Sequence, residues 1–176
     1  LAVAMSLDIE KAFDTLNWTY LWEVLKEMGV GPIFLRWIKL LYVSPRARVK
    51  TGAVFSQSFE IHRGTRQGCP LSSILFAIAM EPLACHLRRR GMDWGVVESG
   101  QPHIISLYAD DALVFLRDYR TSLPQVLTLL DQFGDLAGLQ INWTKSCLYA
   151  MRSLRLGEQP ELLNNSGTIK WGPSNI

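Results

Sequence analysis

The stretch that decides the fold is an acidic turn between two apolar segments, Ile104-Ile105-Ser106-Leu107-Tyr108-Ala109-Asp110-Asp111-Ala112-Leu113-Val114-Phe115-Leu116. Short apolar runs on both sides of a turn predict a β-hairpin that lies against a core. Such a hairpin carries Asp110 and Asp111 at its tip.

A third aspartate, Asp8, directly follows the apolar segment 1–7, which predicts a buried strand. Carboxylates at strand edges beside a core are costly unless a cation neutralises them. Magnesium prefers such oxygen ligands, and two magnesium ions can drive a phosphoryl displacement. On spacing alone, however, a metal site is the less favoured interpretation. Asp110 and Asp111 would then be ordinary turn residues, and Asp8 would cap a short helix over 9–12.

Hydrophobic spacing and turn residues predict the remaining elements. They are helices over 18–28, from Pro32, from near Leu71 (kinked or restarted at Pro82) and over 123–136; a hairpin over 46–61; and a strand over 146–151. We expect no closing element over 168–176, and we expect Trp18, Trp22 and Trp37 to lie in the core. This mixture indicates an α+β fold with helices on one face of an antiparallel sheet.

Composition sets the broad class. The 176 residues suit one domain, and 18 basic against 16 acidic side chains neither announce nor exclude a nucleic-acid partner. Three widely spaced cysteines argue against zinc and disulfides and favour a reducing, intracellular compartment. The longest apolar run, 74–80, is too short to span a membrane, so we expect no membrane partner.

Four segments occur in the order found in reverse transcriptases, which this chain resembles over nearly its whole length. They are Ser6-Leu7-Asp8-Ile9-Glu10-Lys11-Ala12-Phe13-Asp14, Arg66-Gln67-Gly68-Cys69-Pro70-Leu71-Ser72, Tyr108-Ala109-Asp110-Asp111 and Gly138-Leu139-Gln140-Ile141-Asn142-Trp143-Thr144-Lys145-Ser146. The wording of the first two is most similar to the enzymes of long interspersed elements, the non-LTR retrotransposons.

The resemblance implies a polymerase palm, with a split βαβ, ferredoxin-like core. It implies that residues 1–176 are a partial reverse transcriptase domain in which 17–62 contribute to the fingers side. The first residue is not a start methionine, so we expect a piece of a longer protein. The fingers segment before Leu1 and the thumb after Trp171 are expected to be absent.

The resemblance also implies the catalytic groups. Asp8 and Asp110 would bind two Mg²⁺ ions, with Mn²⁺ as an alternative. The Ile9 backbone carbonyl would help to hold one ion, and Asp111 would be a lesser ligand.

Nucleotide-binding residues follow from the same motifs and are Lys11, Ala12, Phe13, Gln67, Gly68 and Lys145. Phe13 falls at the position of a steric gate against ribonucleotides, although without the motif it would be ordinary core. Gln67 and Gly68 would approach the nascent base pair, or they form an ordinary turn into a helix. Lys145 would protonate the leaving pyrophosphate, or it is a solvated lysine.

Basic residues supply the candidate contacts to template and primer, and they are Arg46, Arg48, Lys50, Arg63 and Arg66. Period-two spacing puts the first three on one strand face. A solvated basic edge that discourages strand pairing is the competing interpretation. By resemblance, Tyr108 would pack near the primer terminus, although a tyrosine in a hairpin is usually structural.

These inferences predict an RNA-directed DNA polymerase that uses an RNA template, a DNA primer and deoxynucleoside triphosphates. By the same resemblance, we expect the parent protein to be intracellular and to work in the nucleus and in a cytoplasmic ribonucleoprotein. The alternatives are an inactive nucleic-acid-binding or assembly module descended from such an enzyme, and a group II intron maturase. Nothing in the sequence indicates the oligomeric state.

Overall fold

The computed structural model describes residues 1–151, 162–164 and 167–172. Its elements, in chain order, are β1 Val3–Leu7, α1 Ala12–Thr15, α2 Trp18–Glu27, α3 Pro32–Leu40, β2 Arg46–Ala47, β3 Lys50–Thr51, β4 Val54–Phe55, β5 Phe59–Glu60, α4 Pro70–Arg89, α5 Gly91–Trp94, β6 Val96–Glu98, β7 Gln101–His103, β8 Ile105–Tyr108, β9 Asp111–Leu116, α6 Tyr119–Ala137, β10 Cys147–Ala150, β11 Leu162–Asn164 and β12 Gly167–Trp171.

Four antiparallel strands form the central sheet, in the order β10-β1-β9-β8. Helix α4 lies between β1 and β8 in the chain, and α6 connects β9 to β10. This βαββαβ connection is that of a split βαβ, ferredoxin-like unit. The predicted α+β fold is therefore confirmed. Strand β12 extends the sheet by pairing parallel with β10, and β11 pairs with β12.

Alternate residues of β1 and β9 are buried in the core that the helices complete. The paired residues are Val3 with Leu116, Met5 with Val114 and Leu7 with Ala112. The same core contains residues of α2, α4 and α6. A slip of one residue would turn all of these side chains to the other face, so their burial sets the register that positions the residues after β1.

Helices α2 and α4 pack together beside the sheet. The side-chain oxygen of Asn17 caps α2 by accepting hydrogen bonds from the N–H groups of Thr19 and Tyr20. The Tyr20 hydroxyl then donates to the Ala79 carbonyl of α4 at 2.8 Å. This bond ties the two helices together at a half-buried position.

Helix α4 is one helix of 20 residues with Pro82 inside it. Of the two outcomes expected at Pro82, a kink or a restart, the restart is therefore wrong. Proline removes a single backbone hydrogen bond, and the buried neighbours Met80 and Leu83 hold the helix against the core. By length and composition alone α4 could cross a membrane. This is weak evidence for a membrane span, because a buried core helix passes the same test.

Two further expectations are corrected. Trp37 is 64% exposed, because α3 packs on the protein through Ile38 and leaves this ring outside. Trp22 does pack against the core, and Trp18 is half-buried. Strand β12 contradicts the expectation that 168–176 holds no closing element, while 173–176 lie outside the described residues.

The hairpin over 46–61 is confirmed, but its first strand is interrupted. Strand β2 pairs with β5, and β3 pairs with β4. Arg48 lies in the interruption. The period-two spacing of Arg46, Arg48 and Lys50 therefore does not by itself place their side chains on one face. A second hairpin, β6–β7, turns at Ser99 and Gly100, which both have positive φ, and the sequence pattern did not predict it.

Candidate active site

The predicted carboxylates come to one edge of the sheet. The register places Leu7 opposite Ala112, so Asp8 follows β1 on the side where the β8–β9 turn lies. Within that hairpin Tyr108 pairs with Asp111, and Ala109 in the two-residue turn has a φ of 54°. Asp8 is half-buried, and Asp110 and Asp111 are exposed. The helix-cap interpretation of Asp8 is wrong, because Lys11 occupies the N-cap position of α1, where no side chain makes a capping hydrogen bond.

Backbone hydrogen bonds direct a further oxygen towards this edge. The N–H of Glu10 donates to the Gln140 carbonyl, and the N–H of Asn142 donates to the Asp8 carbonyl, both at 2.8 Å. These bonds flank the antiparallel bridge between Ile9 and Ile141. In this pattern the flanked residue points its own N–H and C=O away from its partner. The Ile9 carbonyl therefore points to the side of β1 on which β9 lies.

The residues at this edge of the sheet fit a metal ion by the chemistry of their donor atoms. Carboxylate and carbonyl oxygens are the ligands that magnesium prefers, and Asp8, Asp110, Asp111 and Ile9 supply no other donor type. Among the described residues, no three His, Cys, Asp or Glu side chains form a group that could hold a metal ion.

The segment between α6 and β10 holds the backbone of Asp8. Ser146 is fully buried, and its hydroxyl accepts from the Asp8 N–H at 3.2 Å and donates to the Asn142 carbonyl at 2.9 Å. The Lys145 ammonium lies 3.7 Å from the Asp8 carboxylate. Because both charged groups face solvent, this ion pair contributes little to stability. Its importance is that Lys145 is next to Asp8, which the motif order alone could not establish.

Phe13 lies where the first two motifs meet. It is half-buried and stacks on Phe76 of α4, with ring centroids 4.9 Å apart. Its carbonyl accepts a hydrogen bond from the Thr65 N–H at 2.5 Å. Its neighbour Ala12 is buried, whereas Lys11 is exposed and has a left-handed φ of 46°. Phe13, the residue predicted to act as a steric gate, therefore also makes core contacts.

The loop before α4 presents Arg66, Gln67 and Gly68 to solvent. Gly68 has a φ of +81°, and a Cβ there would meet nothing within 4 Å. Its requirement for glycine is therefore conformational. At the end of the loop, the N–H groups of Leu71 and Ser72 lower the pKa of the Cys69 thiol.

The basic residues of the 46–61 hairpin are not all free charges. The Arg46 guanidinium donates to the Glu60 carboxylate at 3.0 Å. The Lys50 ammonium lies 5.5 Å from the centre of the Phe55 ring. Arg48 and Arg63 are exposed. Tyr108, at the end of β8, is 84% exposed, which leaves its ring available for contact with a ligand.

A cavity of about 470 Å³ lies beside the segment that holds Asp8. It is lined by Glu10, Leu130, Asp131, Gly134, Asp135, Leu139, Gln140, Ile141, Asn142, Trp143 and Thr144. The three predicted carboxylates are not among these residues, so the cavity is separate from the sheet edge that carries them.

Three residues that build this region were not predicted to belong to it: Ser146, Gly64 and Trp18, which was expected only to lie in the core. The only sequence feature that pointed to Ser146 was its place as the last residue of the fourth motif. Position 64 requires glycine because of backbone that lies 50 residues away in the chain. A Cβ on Gly64 would lie 2.6 Å from the Phe13 and Asp14 carbonyl oxygens. The Trp18 ring carries an N–H that sequence alone cannot assign to an acceptor.

Known proteins show the same architecture and sequence pattern. A sequence profile described as reverse transcriptase (RNA-dependent DNA polymerase) matches residues 2–167. A transposon TX1 149 kDa protein of Xenopus laevis is 33% identical over 95% of this chain, which spans 12% of that protein. A Pol polyprotein of retrotransposable element R2 from Popillia japonica is 31% identical over 81% of the chain, which spans 20% of it.

Solved structures agree at the level of fold. Telomerase of Candida tropicalis in complex with a telomeric RNA fragment superposes with a TM-score of 0.64 and 14% identity, over 93% of this chain and 27% of that one. Telomerase of Candida albicans gives 0.61 and 15%, over 96% of this chain and 30% of its own. The sequence profile and the TX1 and R2 relatives confirm the resemblance inferred from the four motifs.

Proposed function

Because the chain belongs to the reverse transcriptase (RNA-dependent DNA polymerase) family, we propose that it is the catalytic core of an RNA-directed DNA polymerase from a non-LTR, LINE-type retrotransposon. The relatives from TX1 and R2 elements support this type of parent. The chain spans only 12% and 20% of these relatives, so the activity is proposed for the whole protein, with residues 17–62 on its fingers side.

The observation that carries the proposal is the convergence at one sheet edge. Asp8 and the Asp110–Asp111 turn lie there, and the segment that follows Asp8 contacts both the Gln67 loop and the Lys145 segment. A turn residue or a helix cap would need none of these contacts. A site for nucleotidyl transfer needs all of them, because it must hold metal, sugar, base and triphosphate together.

Asp8, Asp110 and the Ile9 carbonyl would hold two magnesium ions, with Asp111 as a lesser ligand. When bound, the ions supply activation of the primer 3′-hydroxyl and neutralise charge on the triphosphate. The protein's own contribution is positional: Ser146 and Asn142 fix the Asp8 backbone through both its N–H and its carbonyl. The Lys145 ammonium is close enough to Asp8 to reach a leaving pyrophosphate beside it.

The nucleotide would lie between Phe13 and the Gln67–Gly68 loop, with Lys11 and Ala12 at its phosphate end. Exposed Gly68 lets backbone approach the base pair, and the Phe13 ring is held from behind by Phe76. Template and primer would contact Arg46, Arg48, Lys50, Arg63, Arg66 and Tyr108. Of these, Arg46 must exchange its Glu60 partner for a phosphate.

Primer extension on an RNA template by the full-length protein tests the proposal. We expect Asp110→Asn and Asp8→Asn to lower deoxynucleotide incorporation about a hundredfold or more, because each removes an anionic ligand of the metal ions that would stabilise the reacting groups. Asp93→Asn is the matched control, since this exposed carboxylate has only a 4.0 Å surface contact with Arg90. It should retain activity within about twofold.

Equal activity of the native protein and Asp110→Asn would contradict the proposal, as would extension without a divalent metal. An intact native protein that extends no primer with Mg²⁺ or Mn²⁺ would also contradict it. That result would favour the inactive nucleic-acid-binding module.

A further inference from the structure

Three hydrogen bonds fasten the loop before α4 to the junction of α1 and α2. The Gly64 N–H donates to the Leu16 carbonyl at 2.8 Å, and the Thr65 N–H donates to the Phe13 carbonyl at 2.5 Å. In the opposite direction, the Trp18 indole N–H donates to the Gly64 carbonyl at 2.6 Å. We refer to this set of bonds as the latch.

The latch brings two backbones into direct contact at Gly64. This residue is buried and has a φ of +82°, and a Cβ on it would lie 2.6 Å from the Phe13 and Asp14 carbonyl oxygens. No side chain separates the loop from the segment that carries Phe13. The distance between Phe13 and the exposed Gln67–Gly68 turn is therefore set by backbone contacts that begin at Gly64.

Trp18 is the side chain that closes the latch. Its ring makes an edge contact with Tyr42 at 5.1 Å between centroids, and Trp22 makes a similar contact with Tyr42 at 5.3 Å. These contacts come from α2 and the end of α3 and orient the indole ring. Replacing the indole by a phenyl ring would leave the Gly64 carbonyl without this donor while keeping an aromatic ring against Tyr42.

We propose that Trp18 is a positioning residue for nucleotide selection, which holds the Gln67–Gly68 loop at a fixed separation from Phe13 through the Gly64 carbonyl. The inference rests on the proposed function for its kinetic consequence but not for the latch itself. Loosening the loop would weaken nucleotide binding and leave Asp8 in place, because Ser146 and Asn142 hold its backbone independently of the latch.

Limited trypsin digestion tests the latch without any polymerase activity. Arg63 and Arg66 flank Gly64 and Thr65 and are exposed, so cleavage after them reports release of the loop. In the full-length protein we expect Trp18→Phe to raise the cleavage rate at these two sites about threefold to tenfold. This factor corresponds to the loss of one neutral hydrogen bond. Trp22→Phe is the control, because it keeps an aromatic ring beside Tyr42 and leaves the Trp18–Gly64 bond intact.

Single-nucleotide insertion tests the consequence. We expect Trp18→Phe to raise the KM for the deoxynucleotide by a similar factor with kcat within about twofold, and we expect Trp22→Phe to change neither. Gly64→Ala breaks the same latch from the other side and should reproduce the KM effect if it folds.

Equal cleavage of the Trp18→Phe and Trp22→Phe proteins would overturn the latch, whatever their activity. Faster cleavage with an unchanged KM, or a fall in kcat alone, would overturn the role in nucleotide selection. If the native protein extends no primer, the proposed function fails and takes the role in selection with it, while the cleavage rates still decide the latch.

Discussion

At the scale of single residues, the Phe13 ring combines an observed core contact with a proposed role in nucleotide selection. Its stacking on Phe76 explains why it is half-buried. The exposed part of the ring is the part that could meet a sugar. These two roles predict different consequences of the same substitution.

Phe13→Val should raise ribonucleotide incorporation relative to deoxynucleotide incorporation by at least about tenfold, since the ring that would collide with a 2′-hydroxyl is gone. The same change should cost about 1–2 kcal/mol of stability, because the Phe76 stacking is lost. Single-nucleotide insertion with matched ribo- and deoxynucleotides measures the ratio, and urea unfolding measures the stability.

The ratio of the two nucleotides is insensitive to the fraction of folded protein, so it separates selection from stability. Phe133→Val, which loses an aromatic contact with Tyr20 in the helix layer, should lower stability and leave the ratio unchanged. An unchanged ratio in Phe13→Val would leave Phe13 as a core residue only.

At the scale of elements, local pattern predicted those that are long or strongly apolar. Strand β1, helix α2 and the β8–β9 hairpin all lie where the spacing of apolar residues places them. Helix α1 and the β6–β7 hairpin were missed for physical reasons. Four residues are too few to show helical periodicity, and Pro102 inside β7 argues against a strand.

The end of α6 offers an element-scale test of how tightly the α1–α2 junction is packed. Gly138 ends this helix with a φ of +73°, and a Cβ on it would lie 2.8 Å from the Thr15 carbonyl oxygen. Gly29, after α2, has a similar φ of +76° but meets nothing within 4 Å. Gly29→Ala should therefore cost only about 1–2 kcal/mol for the left-handed backbone.

Gly138→Ala should cost at least about 1 kcal/mol more than Gly29→Ala, because the junction must also move. Urea unfolding of both variants beside the native protein measures the difference in free energy of unfolding. Equal costs would mean that α6 can withdraw from the junction without penalty.

At the scale of the whole molecule, the sequence predicted the members of the site but not how they are joined. Motif order predicted that Asp8, Gln67 and Lys145 belong to one site. It could not show that Ser146 holds the Asp8 backbone or that Gly64 touches the Phe13 carbonyl. Such contacts depend on the packing of segments that are 50 to 140 residues apart, and local spacing carries no information about them.

The helix layer behind the sheet should make the stability of the whole protein sensitive to alkaline pH through Tyr20. Its hydroxyl joins α2 to α4 through the Ala79 carbonyl, and its ring meets Phe133 of α6. Burial raises the pKa of Tyr20 from 10.0 to about 12. Because the folded pKa is the higher one, the folded state favours the neutral phenol. This contribution is complete below pH 10.0 and is lost as the pH rises towards 12.

Tyr20→Phe should therefore be less stable than the native protein near neutral pH by about 1 kcal/mol, the value of the lost hydrogen bond. The difference should shrink as the pH rises above 10.0, because only the native protein must then bury a phenol that would otherwise ionise. Urea midpoints between about pH 9 and about pH 11.5 measure it. Tyr108→Phe, at a ring that is 84% exposed, should run parallel to the native curve. If the Tyr20→Phe curve also ran parallel, ionisation of this phenol would not be coupled to unfolding, and the α2–α4 contact would be open to water.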